Sequence, residues 1–256
     1  MDASAPPIDR SLLRADLSRC VITLDRDPVR ERFVVDHPPH GRAVIGVHAL
    51  LRRFASDFDV NAWLGTYRVC LVGRAAFDRL LEGAPRASLL DVGAGSGAVL
   101  GELAPLFSRV VVTETSRAAA VRLRPAYETH EIDLATVSLV DRFSVVSLLH
   151  VLDRAPRPRS LLAAARDRMA DDGRMLIACP LPIRAHVDRG GATSDPDEWI
   201  EADGSFEVAL AALVDGLLVP AGLVVERIAR TTYLSQGDAR QPLYALDDAL
   251  LVCRRA

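Results

Sequence analysis

The segment that most constrains this chain is a glycine loop between a predicted buried strand and a predicted helix. Residues 87–98 read Ala-Ser-Leu-Leu-Asp-Val-Gly-Ala-Gly-Ser-Gly-Ala, and the strand covers Ser88–Val92. Alternating glycines let the chain turn sharply and leave bare backbone against which a ligand can lie. The helix expected from Val99 directs its free N–H groups at whatever lies on the turn. This order of elements predicts a nucleotide-type cofactor site.

The residues around the loop bear on which cofactor it holds. The spacing of Gly93, Gly95 and Ala98 also fits the dinucleotide pattern. Asp91, just before the first glycine, argues against a dinucleotide, because its carboxylate suits an ammonium group and repels a pyrophosphate. Glu114, at the end of the next predicted strand, suits a ribose diol in either cofactor.

The string Asp-Val-Gly-Ala-Gly-Ser-Gly at residues 91–97 resembles the first motif of class I S-adenosylmethionine methyltransferases. The resemblance implies S-adenosylmethionine as the cofactor. It places Asp91, Gly93, Ala94 and Gly95 against that molecule, with Glu114 beyond them.

Composition excludes several other classes of function. The net charge of −3 gives no electrostatic footprint for nucleic acid. All basic side chains except the histidines are arginines, which is typical of a GC-rich genome and indicates a bacterial source. The first residues lack the pattern of a signal peptide, and no segment has the character of a membrane span, so we expect a cytoplasmic protein. The cysteines are scattered and the histidines unclustered, so neither a disulfide framework nor a metal site is expected.

Strands and helices alternate from the glycine loop onward. This order predicts an α/β fold with a mostly parallel, doubly wound sheet, and the resemblance of the glycine loop implies the Rossmann-like class I methyltransferase type. Residues 1–82 are expected to form an N-terminal leader and helical cap, including one amphipathic helix over Val44–Phe58 and a turn over Asn61–Gly65. Residues 83–256 are expected to form the cofactor domain, with a polar loop inserted at 182–204. The elements predicted in this domain are helices Val99–Phe107, Arg117–Arg124, Arg159–Met169 and Phe206–Val219, and strands Ser88–Val92, Arg109–Thr113, Glu128–Ile132, Phe143–Leu149, Arg174–Cys179, Leu223–Thr231 and Ala249–Arg254.

In such a sheet the ligand lies at the carboxyl ends of the strands. That rule selects, besides the glycine loop and Glu114, the acid Asp133 and the segment His150–Asp153. Asp133 suits either a contact with adenine or a helix cap, and the sequence leaves both possibilities open.

Several motifs in the carboxyl half resemble the DREV methyltransferases, also called the methyltransferase-like protein 9 family. They are Val145–Arg154, Cys179–Pro182, Tyr233–Asp238 and Tyr244–Ala249, and Val60–Gly65 upstream resembles a further element of that family. The likeness covers residues 50–256.

The resemblance implies an enzyme that methylates the pros (Nδ1) nitrogen of histidine in peptides or proteins, favouring His-x-His stretches. Carried over by position, Asp153 and Tyr233 belong to the substrate pocket as catalytic residues, and His150 to the cofactor site. A neutral imidazole is a fair nucleophile near pH 7. The enzyme therefore needs alignment and the correct tautomer more than a strong base. A carboxylate that accepts the Nε2–H leaves the Nδ1 lone pair free, and we assign this role to Asp153 as a hypothesis.

Two positions depart from the family pattern. His150 stands where the family usually carries Asn, which puts the expected contact in doubt, and Ser96 replaces an acid in the glycine loop. Two alternatives to a histidine methyltransferase stay open: a small-molecule methyltransferase using the same cofactor, and a non-catalytic cofactor-binding protein. The physiological target and the oligomeric state are not readable from the sequence.

Overall fold

The computed structural model describes residues 6–137, 139–188 and 192–256. Its main feature is one eight-stranded sheet in the order β1-β9-β10-β6-β5-β2-β3-β4, and β7 and β8 form a separate hairpin. The strands are β1 (Val69–Cys70), β2 (Ser88–Val92), β3 (Arg109–Thr113), β4 (Glu128–His130), β5 (Phe143–Leu149), β6 (Met169–Pro180), β7 (Val187–Asp188), β8 (Thr193–Ser194), β9 (Leu223–Gln236) and β10 (Leu243–Arg255).

The strands from β4 to β6 pair in parallel, as the alternation of elements predicted. The antiparallel pairs lie on the other side of the sheet: β10 is antiparallel to both β6 and β9, and the short β1 is antiparallel to β9. A turn joins β9 to β10 directly, without the crossover that a parallel neighbour needs, so the last strand reverses. The predicted fold, a mostly parallel Rossmann-like methyltransferase sheet, is confirmed.

The two faces of the sheet are both buried, which explains why its central strands are mostly apolar. Successive side chains point to opposite faces, and Leu89 and Val145 belong to one apolar cluster while Leu90 and Val146 belong to the other. Helices cover each face. The sheet is thus a rigid base, and its carboxyl edge carries the loops that matter for function.

The helices are short. They are α1 (Ala15–Cys20), α2 (Pro28–Asp36), α3 (Arg42–Leu51), α4 (Asp57–Leu64), α5 (Arg74–Leu80), α6 (Leu100–Leu103), α7 (Arg117–Leu123), α8 (Pro158–Asp167) and α9 (Phe206–Leu213). The predicted strands β2, β3 and β5 match residue for residue, because wholly apolar runs bounded by turn residues leave little choice of limits.

The prediction of one helix over Val44–Phe58, followed by a turn, is wrong. Two helices, α3 and α4, replace it, because Ser56 begins a new helix: its Oγ accepts the Asp59 N–H at 3.1 Å. The expected turn is the last part of α4, which ends at Gly65 with a φ of +65°.

The predicted limits of two further helices and of strands β9 and β10 also differ from the structure. The helix expected over Val99–Phe107 is only α6 and a 3₁₀ turn containing Pro105, since proline cannot continue the hydrogen-bond ladder. The helix expected over Phe206–Val219 divides into α9 and a π-helical turn at Val214–Leu218. Strands β9 and β10 are far longer than predicted, since mutual pairing extends them through polar residues.

The polar stretch 182–204 was expected to be a loop, and it contains the short hairpin β7–β8, while residues 189–191 of it lie outside the described part. At the N-terminus, the chain from Val21 packs against β9: the Ile22 N–H donates to the Ile228 carbonyl at 2.8 Å. The boundary near residue 82 stays a prediction. Within the described residues, no helix is long and apolar enough to span a bilayer.

Candidate functional site

A cavity of about 410 Å³ opens at the carboxyl edge of the sheet, where β2 and β5 end. It is lined by the glycine loop, by α4, by the residues that follow β5, and by parts of β9 and β10. Of the residues predicted from the sequence, it brings together Asp91, Gly93, Ala94, Gly95, His150, Asp153 and Tyr233. Glu114 and Asp133 lie outside this lining.

The glycine loop adopts a backbone that only glycine takes up without strain. Gly93, Gly95 and Gly97 have φ values of +70°, +55° and +75°. A methyl group at Gly93 would meet Val151 at 2.9 Å and one at Gly97 would meet Leu123 at 2.7 Å. At Gly95 no atom lies within 4 Å of that position. The loop is therefore packed at both ends and open in the middle, as a cradle for a ligand requires.

Asp91 is a buried carboxylic acid at the base of the loop. Its side chain accepts a hydrogen bond from the hydroxyl of Ser147, which is itself fully buried on β5. Burial raises the pKa of Asp91 to about 7, the Ser147 bond opposes that shift, and nearby Glu114 adds to it. A cationic group of a ligand would reverse the shift, so this acid is poised to meet an ammonium group.

Glu114 follows β3 and holds the glycine loop from the side. Its Oε2 accepts the Gly95 N–H at 2.7 Å, and its Oε1 accepts the Ser116 N–H at 2.8 Å. The side chain is thus fixed beside the open centre of the loop. Its expected role toward a ribose stays a prediction.

Asp133 lies in the turn after β4. Its Oδ1 accepts the Ala135 N–H at 2.9 Å, and its Oδ2 is 3.6 Å from the Arg157 guanidinium. The side chain therefore belongs to a turn, and no α-helix begins there among the described residues. Contact with adenine stays a prediction.

Asp153 is a buried carboxylate beside the cavity. It is 3% exposed, and only Oδ2 is paired, with the Arg154 guanidinium at 3.1 Å. Oδ1 is buried and has no hydrogen-bond partner within the described ranges. An unpaired acceptor oxygen in this position is costly unless a ligand completes it. Asp153 therefore leaves one acceptor oxygen unpaired beside the cavity, and its expected role toward a substrate stays a prediction.

Tyr233 and His150 also line the cavity and pack against each other. Their ring centroids lie 3.8 Å apart with the planes at 46°. Burial raises the pKa of Tyr233 above its ordinary value, so its hydroxyl stays protonated at neutral pH. His150 Nε2 is 2.9 Å from Oδ1 of Asp248, a fully buried acid on β10.

Polar groups of α3 and α4 close the mouth of the cavity. The amide oxygen of Asn61 is 2.9 Å from His48 Nε2, and its nitrogen donates to Asp57 at 2.8 Å. Arg52 pairs with Asp57 at 3.1 Å and with Asp188 at 2.8 Å. This network ties the two helices to the inserted segment.

Sequence reasoning missed three of these groups: Ser147, Asp248 and Asn61. Ser147 and Asp248 lie next to apolar runs of β5 and β10, and a polar residue beside such a run is a usable signal for a buried polar contact. Asn61 was quoted only as part of a motif, since nothing in the chain shows that it faces the cavity.

A larger cavity of about 1010 Å³ lies elsewhere, between residues 21–35 and β9. None of the predicted site residues lines it. In the described part of the chain, no three His, Cys, Asp or Glu side chains gather to form a candidate metal site.

Comparison with known proteins identifies the family of the chain. A model of the DREV methyltransferase family matches residues 43–255, which is most of the chain. The chain belongs to the DREV methyltransferase family. The matched region includes the glycine loop, both walls of the cavity and helices α3 and α4.

Solved structures share the fold of this DREV protein at low identity. DhpI in complex with SAH is 19% identical over 71% of this chain and 83% of that one, with a TM-score of 0.51. A structure from work on the conversion of a disulfide bond into a thioacetal group during echinomycin biosynthesis is 18% identical over 70% and 80%, with a TM-score of 0.50. The N-methyltransferase NodS of Bradyrhizobium japonicum WM9, bound to S-adenosylhomocysteine, is 17% identical over 71% and 85%, with a TM-score of 0.48.

The protein is therefore a methyltransferase, and S-adenosylmethionine is its cofactor. The residues present fit that molecule. The open centre of the glycine loop at Gly95 accepts a ligand against the backbone, and the buried acid Asp91 suits its ammonium group. When bound, the cofactor supplies an electrophilic methyl group on sulfur.

Proposed function

We propose that this DREV methyltransferase methylates the pros (Nδ1) nitrogen of histidine in a peptide or protein, favouring His-x-His stretches. The observation that supports this best is Asp153, whose buried Oδ1 lacks a partner beside the cavity. Asp153 also lies in a segment that resembles the family's motif, and this resemblance supports histidine as the methyl acceptor.

The chemistry follows from what an imidazole needs as a nucleophile. Methyl transfer is an in-line displacement in which positive charge leaves sulfur and develops on the ring. Asp153 accepts the Nε2–H of the substrate histidine, which leaves the Nδ1 lone pair free to attack. The same carboxylate then stabilises the charge that forms. Because the neutral ring is already nucleophilic, alignment provides most of the remaining rate.

Tyr233 positions the substrate in this proposal. Its ring is held against His150, and its phenol stays protonated because burial raises its pKa. A protonated hydroxyl donates one hydrogen bond and accepts another, so it suits orientation rather than proton abstraction.

The surface beside the cavity favours a polypeptide over a small molecule. On α3, His48 faces the protein: its side chain is 12% exposed and bonded to Asn61 of α4. Several apolar residues face outward, with Val47 48% and Leu50 56% exposed, and Phe54 just beyond the helix is 82% exposed. An outward apolar stripe of this kind marks a contact surface.

This stripe leads to the cavity. Phe58, the next exposed apolar residue, is 43% exposed and also lines the cavity. A chain lying along the stripe would therefore present a side chain to Asp153. A small acceptor bound in the cavity would not contact the stripe. We propose that neither nucleic acid nor a membrane is a partner of this protein. We also propose that it acts in the cytoplasm.

The experiment that tests the proposal is mass spectrometry of an alternating His-x-His peptide after incubation with the enzyme and S-adenosylmethionine. Matched His→Ala peptides and free histidine run beside it, and the methyl position is assigned against pros and tele standards. Pros methylation that is lost in the His→Ala peptide supports the proposal. Methylation of free histidine alone favours the small-molecule alternative. Cofactor binding without any transfer favours a protein that only binds.

A further inference from the structure

Asp248 is a fully buried acid whose one established partner is a histidine at the cavity. It lies within β10, opposite Pro180 of β6 on one side and Thr231 of β9 on the other. Its Oδ1 is 2.9 Å from His150 Nε2, while Oδ2 is buried without a partner among the described residues. Burial raises its pKa, and the interaction with His150 opposes that shift. Burying a carboxylate costs free energy of folding, so packing alone does not explain an acid in the centre of the sheet.

His150 is held in one position on three sides. Its backbone has a φ of +56°, a conformation that a non-glycine residue keeps only when its surroundings hold it there. Its N–H donates to the Ala178 carbonyl at 3.0 Å, and its ring packs on Tyr233. The ring is thus presented to the cavity in a fixed orientation.

His150 also lies beside the glycine loop. Val92 of β2 pairs with Leu148 of β5 in parallel, so the glycine loop after β2 and His150 after β5 leave the sheet side by side. The next residue, Val151, packs against Gly93. This position brings the imidazole to the cofactor side of the cavity.

A carboxylate on one ring nitrogen selects the tautomer of a neutral histidine. With Nε2–H donated to Asp248, Nδ1 keeps its lone pair and is the nitrogen left for a ligand. We propose that Asp248 is a positioning residue that holds His150 as the Nε2–H tautomer, so that Nδ1 accepts an N–H donor of bound S-adenosylmethionine. Its ammonium group is such a donor. This role depends on the cofactor and not on the identity of the methyl acceptor.

The first test is the tautomer itself, read by ¹⁵N NMR of histidine-labelled protein with His150→Asn to assign the His150 signals. The wild-type protein should show a pyrrole-type Nε2 and a pyridine-type Nδ1. Asp248→Asn offers an N–H as well as a carbonyl, so it should change that pattern. Asp247→Asn is the matched control, because Asp247 is the adjacent acid and pairs with Arg230 instead. Because the asparagine carbonyl can still accept the Nε2–H, the decisive variant is Asp248→Ala, and an Nε2–H tautomer that persists there would overturn the proposal.

The second test is the affinity for S-adenosylmethionine, measured by calorimetry, which needs no acceptor. Asp248→Asn and His150→Ala should each weaken binding by about 10- to 100-fold, the range for a hydrogen bond to a charged group. His150→Asn should bind the cofactor more tightly than His150→Ala, since Asp248 can hold its amide in the same way. Asp247→Asn should bind normally.

A double-mutant cycle separates positioning from a structural effect. Added to His150→Ala, the change Asp248→Asn should have little further effect on the affinity. If it weakens binding as much there as in the wild-type background, Asp248 supports the sheet and the proposal is wrong. Unchanged affinity in Asp248→Asn with a changed tautomer would overturn it as well. Circular dichroism melting of every variant establishes that it folds.

Discussion

Glu114 Oε2 accepts the Gly95 N–H at 2.7 Å, so the acid beyond β3 fastens the middle of the glycine loop that follows β2. The same carboxylate is the group expected to bind the ribose of the cofactor. We predict that Glu114→Ala weakens S-adenosylmethionine binding by about 10- to 100-fold, measured by calorimetry. Glu128→Ala is the control, because that acid is exposed and pairs only with nearby surface groups. Normal affinity in Glu114→Ala would contradict the assignment.

The loop glycines should differ in what they tolerate. Gly97→Ala should lower stability by about 1–3 kcal/mol, because its φ is +75° and the new methyl group meets Leu123. Gly95→Ala adds a methyl group to open space and should cost only about 1–2 kcal/mol for the left-handed backbone. Its main effect should be loss of cofactor affinity. Urea unfolding and calorimetry measure the two effects, and equal affinity loss in both variants would count against the cradle.

The buried acid Asp91 should make stability depend on pH. Its pKa in the folded protein is about 7, above its ordinary value of 3.8. The folded state therefore keeps a proton that the unfolded chain releases, and the stabilisation is complete below the lower value and lost as pH rises through about 7. We predict that wild type loses stability relative to Asp91→Asn across that window, in urea unfolding at a series of pH values. Parallel curves for the two proteins would refute this.

Asp153→Asn tests the orienting carboxylate. Asparagine keeps the shape of the side chain but carries an N–H donor as well as an acceptor oxygen. It no longer selects the tautomer of the substrate ring, so kcat on a His-x-His peptide should fall by at least about 100-fold. Affinity for S-adenosylmethionine and the melting temperature should stay near wild type. Asp171→Asn, at a 98% exposed side chain, is the control and should be fully active. Near-normal kcat in Asp153→Asn would remove it from the mechanism.

The outward stripe of α3 tests the choice of a polypeptide acceptor. Leu50→Ser combined with Phe54→Ser should raise KM for the peptide by about tenfold, because burying each apolar side chain contributes about 1.5–3 kcal/mol at most. Cofactor affinity should not change. Val35→Ser, at an exposed residue of α2, is the matched control. An unchanged KM for a longer peptide would favour a small acceptor.

Local signals in the chain were enough for the sheet and the cofactor loop. The runs at β2, β3 and β5 are apolar because both faces of a parallel sheet are covered, and turn residues mark their ends. The three glycines predict the loop because no other residue takes their backbone conformation freely. The predicted ends of helices were wrong where a single contact decided them. The Ser56 cap, for example, divided one predicted helix into α3 and α4.

The candidate site divides in the same way. Asp91, Gly93, Gly95, His150 and Asp153 follow strand ends, and the rule that ligands bind at carboxyl ends is enough to select them. Only the tertiary structure brought Tyr233 of β9 against His150 and set the buried carboxylate of Asp248 on its far nitrogen. These residues are far apart in the chain and meet because β10 runs back between β6 and β9. A pairing of that kind depends on register across several strands, which no local pattern encodes.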